Sequence, residues 1–411
     1  MNKILKVNTL IFILAAGTIF GCNDDSVDSK PDTVHPVIIP ERIAAGTNDF
    51  AFDFFKNLQS VHSAEENLFV SPLSLHMALG MVLNGATSET AAEIQKTLKM
   101  EGVSLADLNA AYKTLVSDMP LADSKVNLGL ANSIWYHNNF QVETDFTNTL
   151  KQSFNAEVTG LEFNNEARDK VNQWASDKTN GKIKKVLDNI SADEVMFLLN
   201  ALYFKGDWTT KFETKNTIDK PFHLQNGTDK NVKMMFAKSD FATSGSGKFT
   251  SVKLPYGNQQ FEMTAILPQA GNSITDIMNS FTVADWNKIK KDTSKVGVNL
   301  GLPRFELGYS KKLNDVLKKM GLNKAFTDAA EFGKLSKTVT KISFVKQDTY
   351  LGIDEKGTEA AAVTTVSMVT LSTMPQEPTQ LIFDRPFGII ISEKTSNTIL
   401  FMGKIMNPET K

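Results

Sequence analysis

The sequence predicts a single large α+β domain, and three observations carry that prediction. Helix-like hydrophobic spacing comes first along the chain, and strand-like alternation or continuous apolar runs come later. That order is expected when helices and strands segregate instead of alternating. Between Ile43 and Lys411 no internal repeat, low-complexity linker or block of like charge divides the chain. Near the C-terminus, the stretch Asp354 to Pro375 carries no charge after Glu359 and is built mostly of small, β-branched and aliphatic residues, the composition of a strand and not of a solvated loop. A domain of this length buries a core large enough to need neither disulfide nor metal staples.

The first residues read as a processing signal outside the fold. Lys3 and Lys6 precede an apolar run, Leu10 to Phe20, that is too short to span a bilayer and ends in Ile19-Phe20-Gly21-Cys22. A small residue directly before cysteine resembles a bacterial lipobox. By that resemblance residues 1–21 are a lipoprotein signal peptide, and Cys22 is the lipidated first residue of the mature chain and its membrane anchor. Several acyl chains on one residue anchor stably, since each buried methylene contributes about 0.8 kcal/mol. Cys22 is the only cysteine, so no intramolecular disulfide can form. Residues 22–42, rich in Asp, Ser and Pro, read as a flexible tether to a domain spanning 43–411. Asp24-Asp25 resembles the acidic export tag of some Bacteroidetes lipoproteins, so the expected location is the outer membrane, on the cell surface or the periplasmic side.

Net charge is -2, or -4 once Lys3 and Lys6 leave with the signal, and the lysines are scattered. Neither nucleic acid nor another polyanion is implied as a partner. Thr47 or Asn48 can cap a helix that places Phe50, Phe54 and Leu58 on one face, and Ser71-Pro72 supplies an N-cap with proline in the first turn. Thr90-Ala91-Ala92-Glu93 fits a capping box. Leu128, Leu130, Asn132 and Ile134 alternate as a half-buried strand. Val195 to Phe204 is a nearly continuous apolar run, as in a strand covered on both faces, and Asn200 inside it needs a partner. Phe261, Met263, Ala265 and Leu267 alternate again, and Leu313, Val316, Leu317 and Met320 make a helical stripe closed by Gly321. Gly388 to Ile391 and Ile399 to Met402 read as paired core strands.

The stretch Asp354-Glu355-Lys356-Gly357-Thr358-Glu359-Ala360-Ala361-Ala362 is ambivalent. Its alanines favour a helix, but Gly357 before them and the β-branched Val363, Thr364, Thr365 and Val366 behind them do not. Left in water, it would be an aggregation hazard. In an extended chain Thr358, Ala360, Ala362 and Thr364 share one face, and none is large. A strand can slide between two neighbours only where its core-facing side meets no steric stop, and this face meets that requirement. The segment reads as a conditional strand.

This run of residues resembles the hinge of the reactive-centre loop of serpins, and further motifs follow the serpin order along almost the whole chain after the tether. Asn67-Leu68-Phe69-Val70-Ser71-Pro72-Leu73-Ser74 resembles the opening motif. Asn200-Ala201-Leu202-Tyr203-Phe204-Lys205-Gly206-Asp207-Trp208 resembles the central strand and the breach tryptophan beside it. Leu302-Pro303-Arg304-Phe305, Phe383-Asp384-Arg385-Pro386-Phe387 and Phe401-Met402-Gly403-Lys404 through Asn407-Pro408 complete the series. The resemblance implies helices in the N-terminal half packed on a large mixed β-sheet, further sheets, and an exposed reactive-centre loop at about 355–380. It implies a hinge of Glu355, Gly357, Thr358, Ala360, Ala361, Ala362 and Thr364, a shutter of Ser71, Ser74, Asn200 and Gln347, and a breach at Trp208. Where Gln347 stands the family often has histidine. An amide still donates and accepts hydrogen bonds, but it cannot titrate.

The implied partner is a serine or cysteine protease, which forms a covalent acyl bond to the loop; the freed hinge then inserts as a new central strand and the inhibitor is consumed. Family spacing counted from Glu355 puts the scissile bond at Leu371-Ser372, with Met368, Val369 and Thr373 as other readings, and Pro375 disfavours cleavage after Met374. Leucine at that position suits a chymotrypsin-like or cathepsin-like protease; an elastase-like enzyme stays open. After Lys356 the loop offers no Lys or Arg to a trypsin-like enzyme. Chemistry of the chain's own is not expected. His35, His62, His76, His137 and His223 show no metal-ligand spacing, no Gly-x-Ser-x-Gly elbow occurs, and Gly245-Ser246-Gly247-Lys248 is not a phosphate loop. Trp135, Trp174, Trp208 and Trp286 are expected in the core. No enzyme activity, cofactor or metal is expected, and a monomer is. Two rivals remain: a non-inhibitory serpin, against which the small hinge residues argue, and a surface ligand-binding lipoprotein, which would form no covalent protease complex.

Overall fold

The computed structural model describes residues 34–191, 194–358 and 377–409. Six helices come early: α1 (Glu41–Gln59), α2 (Pro72–Gly85), α3 (Ser88–Thr97), α4 (Leu105–Asp118), α5 (Thr144–Phe154) and α6 (Asn165–Lys178). Three shorter ones follow, α7 (Ile274–Ser280), α8 (Val283–Lys291) and α9 (Asn314–Lys319). The central sheet contains β2 (Val126–His137), β3 (Glu157–Leu161), β4 (Met196–Asp207), β10 (Phe305–Lys312), β11 (Val345–Ile353) and the two-residue β12 (Gly357–Thr358). Its order is β10-β11-β4-β2-β3, with β12 added to β4. It is mixed, because β11 with β4 and β2 with β3 run parallel while the other pairs are antiparallel.

The second sheet contains β1 (Leu68–Val70), β5 (Ile218–His223), β6 (Asp229–Gly245), β7 (Phe249–Pro255), β8 (Phe261–Pro268), β9 (Lys295–Pro303), β13 (Thr379–Ile382), β14 (Phe387–Glu393) and β15 (Ile399–Ile405). Their order is β1-β15-β14-β8-β7-β6-β9-β13, with β5 on β6. As expected, Ile389 to Ile391 pair with Gly403 to Phe401 across β14 and β15. Helix α2 starts as the sequence indicates: Ser71 accepts from the Ser74 amide at 3.2 Å and Pro72 opens the first turn. All of α2 is buried, as befits a helix that is apolar on every side. Gly80 admits the ring of Tyr112 from α4 against its backbone, where any Cβ would collide.

Four expectations need correction. Helix α1 begins at Glu41 behind Pro40, not at Thr47 or Asn48. Thr47 instead donates back to the Ile43 carbonyl at 2.8 Å, and Asn48 bonds the Asn397 carbonyl and the Ile399 amide, tying α1 to β15. Val37 is fully buried and its amide donates to Thr395 at 2.8 Å, so the packed body starts before Ile43 and includes the end of the supposed tether. Thr90 and Glu93 form no capping box: α3 begins after Thr87, the Glu331 carboxylate accepts from the Glu89 and Thr90 amides, and Glu93 accepts from the Asn323 and Lys324 amides. Strands β2 and β8 are not half-buried. Ala131, Ser133 and Trp135 are buried along with Asn132 and Ile134, because a second core of Trp135, Val171, Trp174, Phe197, Leu199 and Phe344 fills the face under α6. All eight residues of β8 are buried at mid-sheet.

Candidate functional site

Strand β4 is covered on one edge by β2 from Met196 to Gly206. Its other edge is shared. β11 pairs with it only from Val345↔Leu198 to Thr349↔Leu202, whereas β11 stays paired to β10 as far as Ile353. At the far end β12 takes over in the antiparallel sense, Gly357↔Asp207 and Thr358↔Gly206. On that edge the β11 ladder ends at Leu202, and the β12 ladder covers Gly206 and Asp207. The central sheet is therefore parted at one end, and the chain has begun to fill the parting.

The turn that feeds β12 is fixed by Asp354. Its carboxylate accepts from the amides of Lys356 at 2.9 Å and Gly357 at 3.1 Å, and its own amide donates to the Gly357 carbonyl. The carbonyls of Lys356 and Glu355 accept from the amides of Trp208 (2.8 Å) and Phe212 (2.9 Å), and the Trp208 indole donates to the Asp354 carbonyl at 3.0 Å. Gly357 runs so close to β4 that a Cβ would overlap the Gly206 carbonyl oxygen. Glu355 is 6 % exposed; Thr217 donates to it at 2.8 Å and Arg304 lies 3.6 Å away.

Thr358 is 1 % exposed. Its hydroxyl bonds the Tyr256 hydroxyl at 2.9 Å, and Tyr256 stacks on Trp208 with centroids 4.5 Å apart and meets Phe204 edge-on at 4.9 Å. Burial pushes the Tyr256 hydroxyl above its ordinary titration range. Residues paired across a ladder project to the same face, so Thr358 points with Gly206, Phe204 and Leu202 toward the main core.

Deeper in the sheet, three amides stand in one row across adjacent strands: Gln347 on β11, Asn200 on β4 and Asn132 on β2. Gln347 turns toward α2. It accepts from the Ser71 amide at 2.9 Å, donates to the Ser71 carbonyl at 2.8 Å and reaches the Ser74 hydroxyl at 3.5 Å, while the Ser71 hydroxyl donates to the Leu400 carbonyl at 2.7 Å. Asn200 does not join Ser71, Ser74 and Gln347 through any hydrogen bond of the described residues. It donates instead to Asn132 at 2.6 Å, Asn132 donates to the Phe154 carbonyl at 3.2 Å, and the side-chain oxygen of Asn200 is buried without a hydrogen-bond partner among the described residues.

Asn132, Tyr256, Asp354, Thr217 and Arg304 are the participants that sequence reasoning missed. Asn132 had a signal, since it interrupts an apolar strand as Asn200 does; Tyr256 had none. Ala360, Ala361, Ala362, Thr364, Leu371, Ser372 and Cys22 lie outside the described residues. Among the described residues no group of three His, Cys, Asp or Glu side chains is placed to hold a metal ion.

A two-sheet α+β fold with a parted central sheet, and a chain turning into the parting, defines a class of protein. Residues 45–408 match the family model for serpins, serine protease inhibitors, and the chain belongs to the serpin family. It is 31 % identical over 382 residues to the leukocyte elastase inhibitor of Sus scrofa, covering 90 % of this chain and 100 % of the relative. It is 30 % identical over 423 residues to a serpin-like protein of Methanosarcina acetivorans, covering 99 % of this chain and 96 % of the relative. The crystal structure of a thermophilic serpin, tengpin, in the native state superposes with a TM-score of 0.83 at 31 % identity, over 90 % of this chain and 95 % of that one.

Proposed function

We propose that this serpin inhibits chymotrypsin-like or elastase-like serine proteases, and cathepsin-like cysteine proteases, as a substrate used once. The protease nucleophile attacks the Leu371 carbonyl carbon, the bond to the Ser372 nitrogen breaks, and that nitrogen leaves as a protonated amine while the protease stays acylated to Leu371. The freed hinge then inserts along β4. One observation carries this reading: β12 is already paired to β4 on the same edge, beyond the point where β11 leaves it. Extending its register sets Ala360 opposite Phe204, Ala362 opposite Leu202 and Thr364 opposite Asn200, so small side chains meet the core over the first half of the insertion. The ladder runs out at Met196, the first residue of β4, opposite Met368, so the acylated Leu371 ends beyond the strand's far end with the protease attached.

In this reading Ser71, Ser74, Gln347 and Asn200 are the shutter, because β11 must leave Leu198 to Leu202 for the new strand to pass. Two relatives named as leukocyte elastase inhibitors, from Sus scrofa and Bos taurus, support an elastase-like target. We further propose that residues 1–21 are a lipoprotein signal peptide and that Cys22 anchors the domain at the outer membrane of a Bacteroidetes-like bacterium, on the cell surface or the periplasmic side.

The test mixes the soluble chain beginning after Cys22 with chymotrypsin, a pancreatic elastase and papain. Expected are a band at the summed mass that survives denaturing electrophoresis and a released peptide beginning at Ser372. Clean cleavage without that band, for all three proteases, would mean a non-inhibitory serpin or a ligand-binding one.

A further inference from the structure

Away from the junction of β4, β11 and β12, a cleft of about 800 Å³ opens on the face of the strands β5, β6, β9 and β13. Its floor comes from one row of the ladder, Phe236↔Gly301↔Ile382. Gly301 has no side chain to separate its neighbours, and a Cβ there would come within 3.0 Å of both Phe236 and Ile382. Ile218 of β5, 47 % exposed, continues the apolar wall. The volume lies within the range of about 300–1,000 Å³ typical of small-molecule sites.

The cleft's charges do not balance. Asp384 already holds Arg385 at 2.9 Å, Lys215 is taken by Glu213 at 2.6 Å, and His223 bonds Asp229 at 2.7 Å. Lys220 and Lys238 also line the cleft, and neither has an ion pair or a side-chain hydrogen bond among the described residues. Two unpaired ammonium groups therefore flank a half-buried apolar floor. Such a site repels cations, and a purely apolar occupant would leave both ammonium groups unused.

We infer that this cleft binds an amphipathic anion, a small molecule with an aliphatic or aromatic body and a single carboxylate or sulfate head. The body lies on Phe236, Ile382 and Ile218, and the head is held at the rim in the positive field of Lys220 and Lys238, which stand at opposite ends of the cleft. Strand β13 sits at a sheet edge, held to β9 by four parallel pairs. An occupant touching β5, β6, β9 and β13 ties that edge to the rest of the sheet, so occupancy raises thermal stability. This inference does not depend on the inhibitory reading.

The experiment titrates decanoate, with decanol as the uncharged comparator, into the soluble chain beginning after Cys22, by calorimetry at low salt and again at about 0.5 M salt, where exposed charges are screened. The same titration follows for the double variant Lys220→Glu/Lys238→Glu and for Lys233→Glu, whose lysine pairs with Asp219 at 2.9 Å outside the cleft. Expected are one saturable site for decanoate, weaker binding of decanol and of decanoate at high salt, and affinity reduced roughly tenfold or more in the double variant but not in Lys233→Glu, as reversed charge complementarity requires. Melting temperature should rise with decanoate in the wild type alone and in Lys233→Glu. Failure of decanoate to saturate the wild type overturns the inference, and so does unchanged affinity in the double variant. Should the double variant not fold, Lys220→Gln and Lys238→Gln, each expected to bind several-fold more weakly, decide between the same outcomes.

Discussion

Thr358 is the last described residue before the segment that the proposed mechanism moves, and its environment is already that of an interior. Its hydroxyl satisfies Tyr256, and Tyr256 in turn packs on Trp208 and Phe204. Thr358→Val keeps the shape but orphans the Tyr256 hydroxyl, which should cost about 1–3 kcal/mol in chemical unfolding. Thr358→Arg is harsher, because a guanidinium at this buried position must either stay in the core or pull the head of the hinge off β4. That variant should still be cleaved by chymotrypsin yet form no denaturation-resistant complex; undiminished complex formation would remove the insertion mechanism. A different residue governs pH. His76 is fully buried, bonded to the Tyr112 hydroxyl at 2.8 Å and to the Leu98 carbonyl at 3.1 Å, and burial lowers its pKa from 6.5 to about 4. Below pH 6.5 the unfolded chain takes a proton that the folded chain refuses, so stability falls from pH 6.5 toward 4. The loss reaches about 3 kcal/mol at the lower end. Urea unfolding of wild type and His76→Gln over that range should converge at low pH; parallel curves would clear His76 of the effect.

At the scale of elements, the parted edge of β4 depends on how firmly β11 is held. Gln347 clamps both backbone groups of Ser71, and Thr349 donates to the Phe69 carbonyl at 2.6 Å. Gln347→Ala leaves two buried backbone groups of Ser71 without those partners, each costing about 1–3 kcal/mol. It should lower the melting temperature of the uncleaved protein and hasten insertion without cleavage, seen as loss of inhibitory activity on incubation. The side-chain oxygen of Asn200, without a hydrogen-bond partner among the described residues, has a counterpart in the proposed register: Thr364 arrives opposite it and brings a hydroxyl. Thr364→Val should therefore leave the intact protein unchanged and make the cleaved one less stable by about 1 kcal/mol. Paired core strands such as β14 with β15, and the capped start of α2, were legible because apolar runs and an Ser-Pro pair report directly on their own geometry. The start of α1 was not, since Pro40 makes no side-chain cap bond. Nor were the partners of Glu93, which come from residues more than two hundred positions away. For the same reason Gln347 could be placed near Ser71 only by resemblance, and Tyr256, just past the end of β7, could not be placed at Thr358 at all.

For the molecule as a whole, the proposed insertion exchanges one kind of ladder for another. Five parallel pairs between β11 and β4 are given up, and a strand from Thr358 to Met368 gains antiparallel neighbours on both sides, the slightly more stable arrangement per residue. The balance is about a dozen backbone hydrogen bonds at roughly 1 kcal/mol each, on the order of 10 kcal/mol, comparable with the entire stability of many domains. Replacing the residue before the scissile bond changes which protease opens the loop but not this energy. Leu371→Arg should gain a denaturation-resistant complex with trypsin, and failure to gain it would place the scissile bond elsewhere. The energy itself can be read without any complex. Cutting the loop between Ala362 and Met374 with catalytic amounts of thermolysin, a metalloprotease that forms no acyl-enzyme and so is not trapped, frees the hinge from its C-terminal attachment, and the cut protein should melt on the order of 20 °C above the intact one. Thr358→Arg cut at the same bond should show little of that gain, because the residue that heads the inserting strand no longer fits against β4. If the cut wild type melts together with the intact protein, the departure of β11 from β4 beyond Leu202 is a fixed feature of the sheet and the loop is only a substrate.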